Sequence, residues 1–185
     1  MKKLFGIQVE EKARENDTEK VSSVISGFFK AVQDLVESKK KQYNRVMPFG
    51  EYISDRWDKA SCLGFGKGSS VYDNCYVYGE VRVGKDVWVG PFTILEGSAA
   101  DLVIGDKTQI SAGCQIYTHD SSNAETVKNG PVYIGENCYL GPNVVVACGV
   151  RIGDNVTIGA NSFVNKDIPS NSKAYGNPVK IKGEA

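Results

Sequence analysis

The stretch QIYTHDSSN, Gln115 to Asn123, holds the only histidine of this chain, His119. One imidazole cannot supply a three-histidine zinc site. What it can do alone is accept a proton near neutral pH, because its ordinary pKa is about 6.5. A base of that kind needs an acceptor for its other ring nitrogen, so that the proton sits on a defined atom. Asp120 is adjacent in sequence, Glu96 is the acid that a stacked fold would bring near, and a backbone carbonyl would also serve.

The elements that must position this ring come from a repeat. VGKDVW, IGENCY and IGDNVT share an aliphatic residue, a glycine and four further positions. Hexads of this kind start at Phe65, Val71, Val77, Val83, Val89, Leu95, Ile104, Ile110, Ile116, Ile134, Leu140, Val146, Ile152, Ile158 and Val164, every one apolar. Three residues are inserted before Ile104 and twelve before Ile134. The fifth hexad position is small or β-branched, as at Ser69, Thr93, Cys114, Cys138 and Val156. Two inward positions per hexad, with three hexads per coil, predict an all-β solenoid of about five triangular coils with internal ladders. Three of the five cysteines occupy the fifth slot, as small buried hydrophobes.

Position two sorts by face. One face carries Gly66, Gly84, Gly105, Gly135 and Gly153; the next carries Tyr72, Gly90, Ser111, Gly141 and Gly159. The third carries Tyr78, Glu96, Tyr117, Ala147 and Asn165, with no glycine. A glycine column implies either a positive φ or a close approach between coils. His119 lies on the glycine-free face, and the inward slot that follows it holds Asp120. From there DSSNAETVKNGP is polar, so residues 120–131 leave the coil, with Asn129-Gly130 read as a turn. Stacking puts LEGS, Leu95 to Ser98, one coil below His119.

Before the coils, Val21, Val24, Ile25, Phe28, Phe29, Val32, Leu35 and Val36 form one helical stripe, with Asn16 and Glu19 as a capping pair. Residues 1–60 are therefore a helical cap or subunit-contact segment, 61–169 the solenoid and 170–185 a C-terminal tail. Lysines and arginines number 22, as do aspartates and glutamates, which argues against nucleic acid as a partner. The start has no continuous apolar core of a signal peptide, and five cysteines without a C-x-x-C pair suit a reducing compartment; a cytoplasmic protein is expected, with membrane attachment disfavoured.

From about Tyr52 to Gly183 the repeat resembles that of the hexapeptide-repeat acyltransferases. The resemblance implies a left-handed parallel β-helix, homotrimers, acetyl-CoA as co-substrate without a metal, and a catalytic histidine at the position of His119. DRWDKASCLGFGKGSSVYDN, VWVGPFTILEGS and ISAGCQIYTHD are similar to acyltransferases of bacterial surface-glycan pathways, which act on sugars or sugar nucleotides. Those have LDGS where this chain has Glu96, so the carboxylate is kept with a longer reach. IGANSFVNKDIP and GNPVK look like the coenzyme-binding end of galactoside acetyltransferases. By that likeness Ala160 contacts pantetheine, while Asn165, Lys166 and Lys180 lie near the nucleotide phosphates. Lys180 stands where the relatives have an arginine, so a forked contact becomes a point charge. A serine that follows the match of Gly141 is here Pro142, which has no N–H, so a main-chain donor in that stretch must come from a neighbour such as Gly141.

The expected reaction is direct attack of a sugar hydroxyl or amine on the thioester, with His119 as base and Glu96 as its orienting acid. Tyr78, Tyr117 and Asp120 are expected at the acceptor, and Asp55, Arg56 and Trp57 either shape that pocket or close the first coil. Rival readings are a non-catalytic trimeric solenoid scaffold and an acetyltransferase for antibiotics.

Overall fold

The computed structural model describes residues 11–44, 46–123 and 125–184. Helices α1 (Glu11–Tyr43) and α2 (Phe49–Ile53) form one compact unit, and the chain from Ser54 onward forms another. α1 starts before Asn16, so that residue lies inside the helix rather than at its cap, and residues 1–10 lie outside the described part. α2 packs against α1, and beside it the Met47 N–H donates to the Tyr52 hydroxyl at 3.0 Å.

In the second unit short strands pair in parallel with their own continuation. Ser70 pairs with Trp88, Trp88 with Gln109, Gln109 with Tyr139 and Tyr139 with Thr157. The steps are 18, 21, 30 and 18 residues, which are three hexads plus the insertions of three and twelve. A second ladder runs Tyr76, Ile94, Gln115, Val145, Phe163, and a third runs Val83, Ile104, Ile134, Ile152. The chain thus coils as a stack of parallel rungs. Of the hexad starts only Val77 is not buried. The long strand Ile94–Ile104 absorbs the three extra residues as an irregularity opposite Gly79 and Val81.

The fifth slot does more than fill space. Ser69 Oγ donates to the Gly84 carbonyl (2.7 Å), Thr108 Oγ1 to Gly135 (2.8 Å), and the thiols of Cys75, Cys114 and Cys138 to Gly90, Gly141 and Gly153 (3.0, 3.2 and 3.0 Å). Each link ties one coil to the corner of the next. Burial pushes the Cys114 thiol up to about 11, so it stays protonated and unreactive.

The glycine columns follow from close approach, not from positive φ. A Cβ on Gly105 would sit 2.6 Å from the Gly135 carbonyl carbon, and one on Gly66 would sit 2.4 Å from that of Gly84. Left-handed backbone falls two positions later instead, at Asp86, Lys107, Asn137, Asn143, Asn155 and Asn161. Asparagine tolerates that region, and here the amides also link coils: Asn137 to Asn155 (2.8 Å) and Asn155 to Asn171 (3.1 Å). Hexapeptide spacing had not singled out these ladders.

α3 (Arg56–Cys62) closes the first coil. Asp55 caps it by accepting from the Trp57 N–H (2.8 Å), and Arg56 donates to the Tyr72 hydroxyl (2.7 Å). Lys59 Nζ donates to the carbonyls of Tyr72, Asp73 and Cys75, which the open coil end leaves without strand partners. At the other end Ser172–Tyr175 pairs with Thr157–Ile158, and Lys180–Glu184 returns antiparallel to it. With Ala174 and Val179 buried, these last residues extend the sheet instead of trailing as a tail.

Candidate functional site

The excursion after His119 is a hairpin. His119–Asp120 pairs antiparallel with Lys128–Asn129, and Gly130 N–H returns to the Thr118 carbonyl at 2.9 Å. Asn129-Gly130 is therefore part of the returning strand and its exit, not a turn. Gly130 is needed for another reason: a Cβ there would lie 2.7 Å from Gly149 Cα. The reversal lies around Asn123, whose side chain accepts from the Glu125 N–H and whose carbonyl accepts from Thr126.

Parallel register places Tyr78, Glu96 and Tyr117 on successive rungs. From the middle rung the Glu96 carboxylate reaches the coil above. Its Oε2 lies 2.9 Å from His119 Nδ1 and accepts from the Thr118 N–H (3.0 Å) and hydroxyl (2.9 Å). Its Oε1 accepts from the Ser98 N–H (2.8 Å) and the Ser98 hydroxyl. Burial opposes the charge on Glu96, yet the Ser98 hydroxyl, the N–H groups of Thr118 and Ser98, and His119 outweigh it and pull the carboxyl down to about 2. An ionised carboxylate only accepts, so the His119 Nδ1 facing it carries a proton and Nε2 is left as the basic nitrogen of the neutral ring. The Glu96 side chain is 6% exposed and that of His119 34%, so the acid is enclosed while the base meets solvent.

The imidazole edges an open groove of about 410 Å³. Its walls are Tyr117, Val145, Ala147, Cys148 and Phe163, largely apolar, with Ser121, Ser122 and Asp120 on the hairpin side. The Tyr117 ring meets that of His119 edge-on at 6.2 Å. The Asp120 carboxylate accepts from the Ser122 N–H (2.9 Å), and that bond holds it below the usual carboxylate range. Two other hollows, one around Leu63–Phe65 and Val77–Val83 and one around Gly79–Glu80 and Gly97–Asp101, contain acids but no imidazole.

The remaining expected residues are more dispersed. Tyr78 is half exposed and stacks on Tyr76 with ring centroids 6.2 Å apart, two rungs from Tyr117. Asn165 and Lys166 are exposed directly after Phe163 and Val164, at the C-terminal end of the same face. Lys180 is exposed beyond them, whereas Gly141 and Ala160 lie on the adjoining face, outside the groove. The Gly141 N–H is spent on the Ile158 carbonyl (2.8 Å) and that of Asn143 on Ala112 (2.9 Å), so neither is free to serve as the main-chain donor expected near Pro142. Ser98, Thr118, Cys148 and Phe163 had not been singled out. The first two were signalled only indirectly: an acid placed inward on a rung requires donors around it.

An imidazole held by a saturated carboxylate thus lies at the margin of a stack of parallel rungs. Residues 131–166 match the bacterial transferase hexapeptide (six repeats) family. Over 128 residues the chain is 33% identical to galactoside O-acetyltransferase of Lactococcus lactis, covering 62% of each. It is 35% identical over 105 residues to the putative colanic acid biosynthesis acetyltransferase WcaF of Escherichia coli K12, covering 55% of this chain and 57% of that one. Among solved structures a maltose O-acetyltransferase from Clostridium difficile 630 superposes with a TM-score of 0.56 at 25% identity, covering 84% of both chains. The chain therefore spans about six-tenths of the length of these curated relatives. Among the described residues no group of three His, Cys, Asp or Glu could hold a metal ion, and no helix is long and apolar enough to cross a membrane.

Proposed function

We propose that this protein moves an acetyl group from acetyl-CoA to a hydroxyl or amine of a sugar or sugar nucleotide, within a left-handed β-helix that assembles as a homotrimer. The names of the similar galactoside, colanic acid and maltose acetyltransferases support the reaction class and the sugar acceptor. The family match over residues 131–166 supports the handedness. The observation that carries the reading is the 2.9 Å contact between His119 Nδ1 and a carboxylate that accepts four further hydrogen bonds.

Acetyl-CoA supplies the thioester whose thiolate is a competent leaving group. His119 Nε2 takes the proton of the attacking hydroxyl or amine, a role worth about 10²–10⁴-fold. Glu96 keeps Nδ1–H in place and stabilises the imidazolium that forms; Ser98 and Thr118 keep Glu96 ionised. The groove walls, being largely apolar, suit a pantetheine arm. Asn165, Lys166 and Lys180 carry exposed polar and cationic groups past its end, where phosphates would lie. Ala160 has no intramolecular acceptor for its N–H among the described residues, which suits a main-chain contact to the amide of that arm. Because Gly141 and Ala160 face away from this groove, they serve the groove of a neighbouring copy. Tyr78, Tyr117 and Asp120 border the acceptor.

The test is thiol release from acetyl-CoA in the presence of a panel of plain sugars, amino sugars and sugar nucleotides. One acceptor class is expected to raise release well above hydrolysis, and His119→Ala is expected to lose about 10²–10⁴-fold of it. Release that survives within tenfold in His119→Ala would remove the general base from the account. A panel with no active acceptor would remove the sugar reading.

A further inference from the structure

α1 carries an apolar face that its own unit leaves open. Val21, Val24, Ile25, Phe28 and Phe29 are 57, 72, 50, 56 and 60% exposed, while Val32, Leu35 and Val36 further along are half-buried. The stripe has the spacing of a coiled-coil seam. With Ile25 and Val32 at the a positions, Val21, Phe28 and Leu35 fall at d, Val24 and Ala31 at g, and Phe29 and Val36 at e. Between Val21 and Ser38 the charged residues are Lys30, Asp34 and Glu37, and all three fall on the outer c and f positions. No charge interrupts the a, d, e and g face over that length.

Two features of the stripe select its occupant. A helix that lies on an anionic membrane needs a cationic face along its apolar stripe, and from Val21 to Ser38 the outer positions hold one lysine against two acids, the run Lys39, Lys40 and Lys41 following only beyond the stripe. A facing helix with the same apolar seam needs no such charge. Ile25 and Val32 at a, with Phe28 and Leu35 at d, follow the core pattern of parallel coiled coils, in which like positions meet in register. The five open side chains leave roughly 100 Å² each, about 500 Å² per helix, so a pair would bury about 1,000 Å², the size at which an interface becomes specific.

We infer that α1 docks in parallel and in register against α1 of another copy of this chain, through the face of Val21, Ile25, Phe28 and Leu35. The contact holds whether or not the transferase reading survives.

The test is disulfide trapping in full-length protein carrying Cys62→Ser and Cys148→Ser, to remove the two native thiols that are not buried. Val21→Cys and Phe28→Cys, one heptad apart on the seam, are each compared with Lys30→Cys on the outer face under mild oxidation. Both seam variants are expected to form covalent dimers at least tenfold faster than Lys30→Cys. A second readout is the oligomeric mass of a Val24→Glu/Phe28→Glu variant by sedimentation, expected to fall or to become concentration-dependent. Equal trapping at all three positions would overturn the proposal, as would seam cysteines slower than Lys30→Cys because the solenoid or another surface covers them. Recovery of α1 on phosphatidylserine vesicles, with trapping abolished, would give the face to a membrane instead.

Discussion

Two faces of the coil use the second hexad position in opposite ways. On one, Gly66, Gly84, Gly105, Gly135 and Gly153 let successive coils touch so closely that a Cβ would meet backbone at 2.4–2.8 Å. On the other, Tyr78, Glu96 and Tyr117 occupy the same position on successive rungs and project large side chains. The first face is closed by main chain and has no room for chemistry. The second gives up that contact, and the space it leaves is filled by a buried acid and the base it holds. The repeat is thus a scaffold whose tightest column supports the fold and whose loosest column carries the Glu96–His119 pair.

Substitutions at the shared position separate the two roles. Gly135→Val should have the largest effect, because its Cβ would sit 2.7 Å from the Gly153 carbonyl carbon and 2.2 Å from the Asp154 carboxylate. Overpacking of that kind costs about 3 kcal/mol, which at roughly 3 °C per kcal/mol for a chain of this size lowers the melting temperature by about 10 °C. An unchanged melting curve would show that the coils are not packed as described. Tyr78→Ser, on the open face, should shift it by no more than about 2 °C, since surface changes usually cost under 0.5 kcal/mol. A large drop there would mean that the two faces are equally tight.

Acid should weaken the open face selectively. Glu96 sits at about 2 in the folded protein against 4.5 as a free side chain. A lowered carboxyl stabilises the fold fully above its unfolded value, and the contribution fades as pH drops toward the folded one. The difference amounts to about 3 kcal/mol at most. Wild type should therefore lose stability relative to Glu96→Gln between about pH 5 and pH 2, read from urea midpoints at each pH. Parallel curves for the two proteins would show that Glu96 is not held as a carboxylate.

Much of this organisation was legible in the sequence. Six-residue spacing at fifteen apolar positions is a strong signal because each miss would bury a polar group, and it yielded the coil register and the insertions. Once the register was set, Glu96 fell one rung below His119 by stacking alone. What escaped were features that depend on backbone shape. Asparagines at the fourth position read as polar surface until their φ values, 54–58° at Asn137, Asn143, Asn155 and Asn161, show why they recur. Asn129-Gly130 reads as a turn by composition, yet its glycine answers a 2.7 Å approach to Gly149. Cys148 lies outside the inward slots, and nothing in its spacing marked the groove wall. The helix of residues 11–43 was visible from its stripe, but its start was misplaced, since Asn16 and Glu19 read as a capping pair although the helix already runs through them.

The central claim is that Glu96 fixes the proton of His119 on Nδ1 and leaves Nε2 as the base. Because the chain has one histidine, ¹⁵N NMR of tag-free protein labelled at imidazole reports that ring alone. Above the ring's titration the account predicts a protonated-type Nδ1 shift and a bare, basic Nε2 shift, with the preference lost in Glu96→Ala. A ring that carries its proton on Nε2 in the wild type, or an equilibrium indifferent to Glu96, would contradict it.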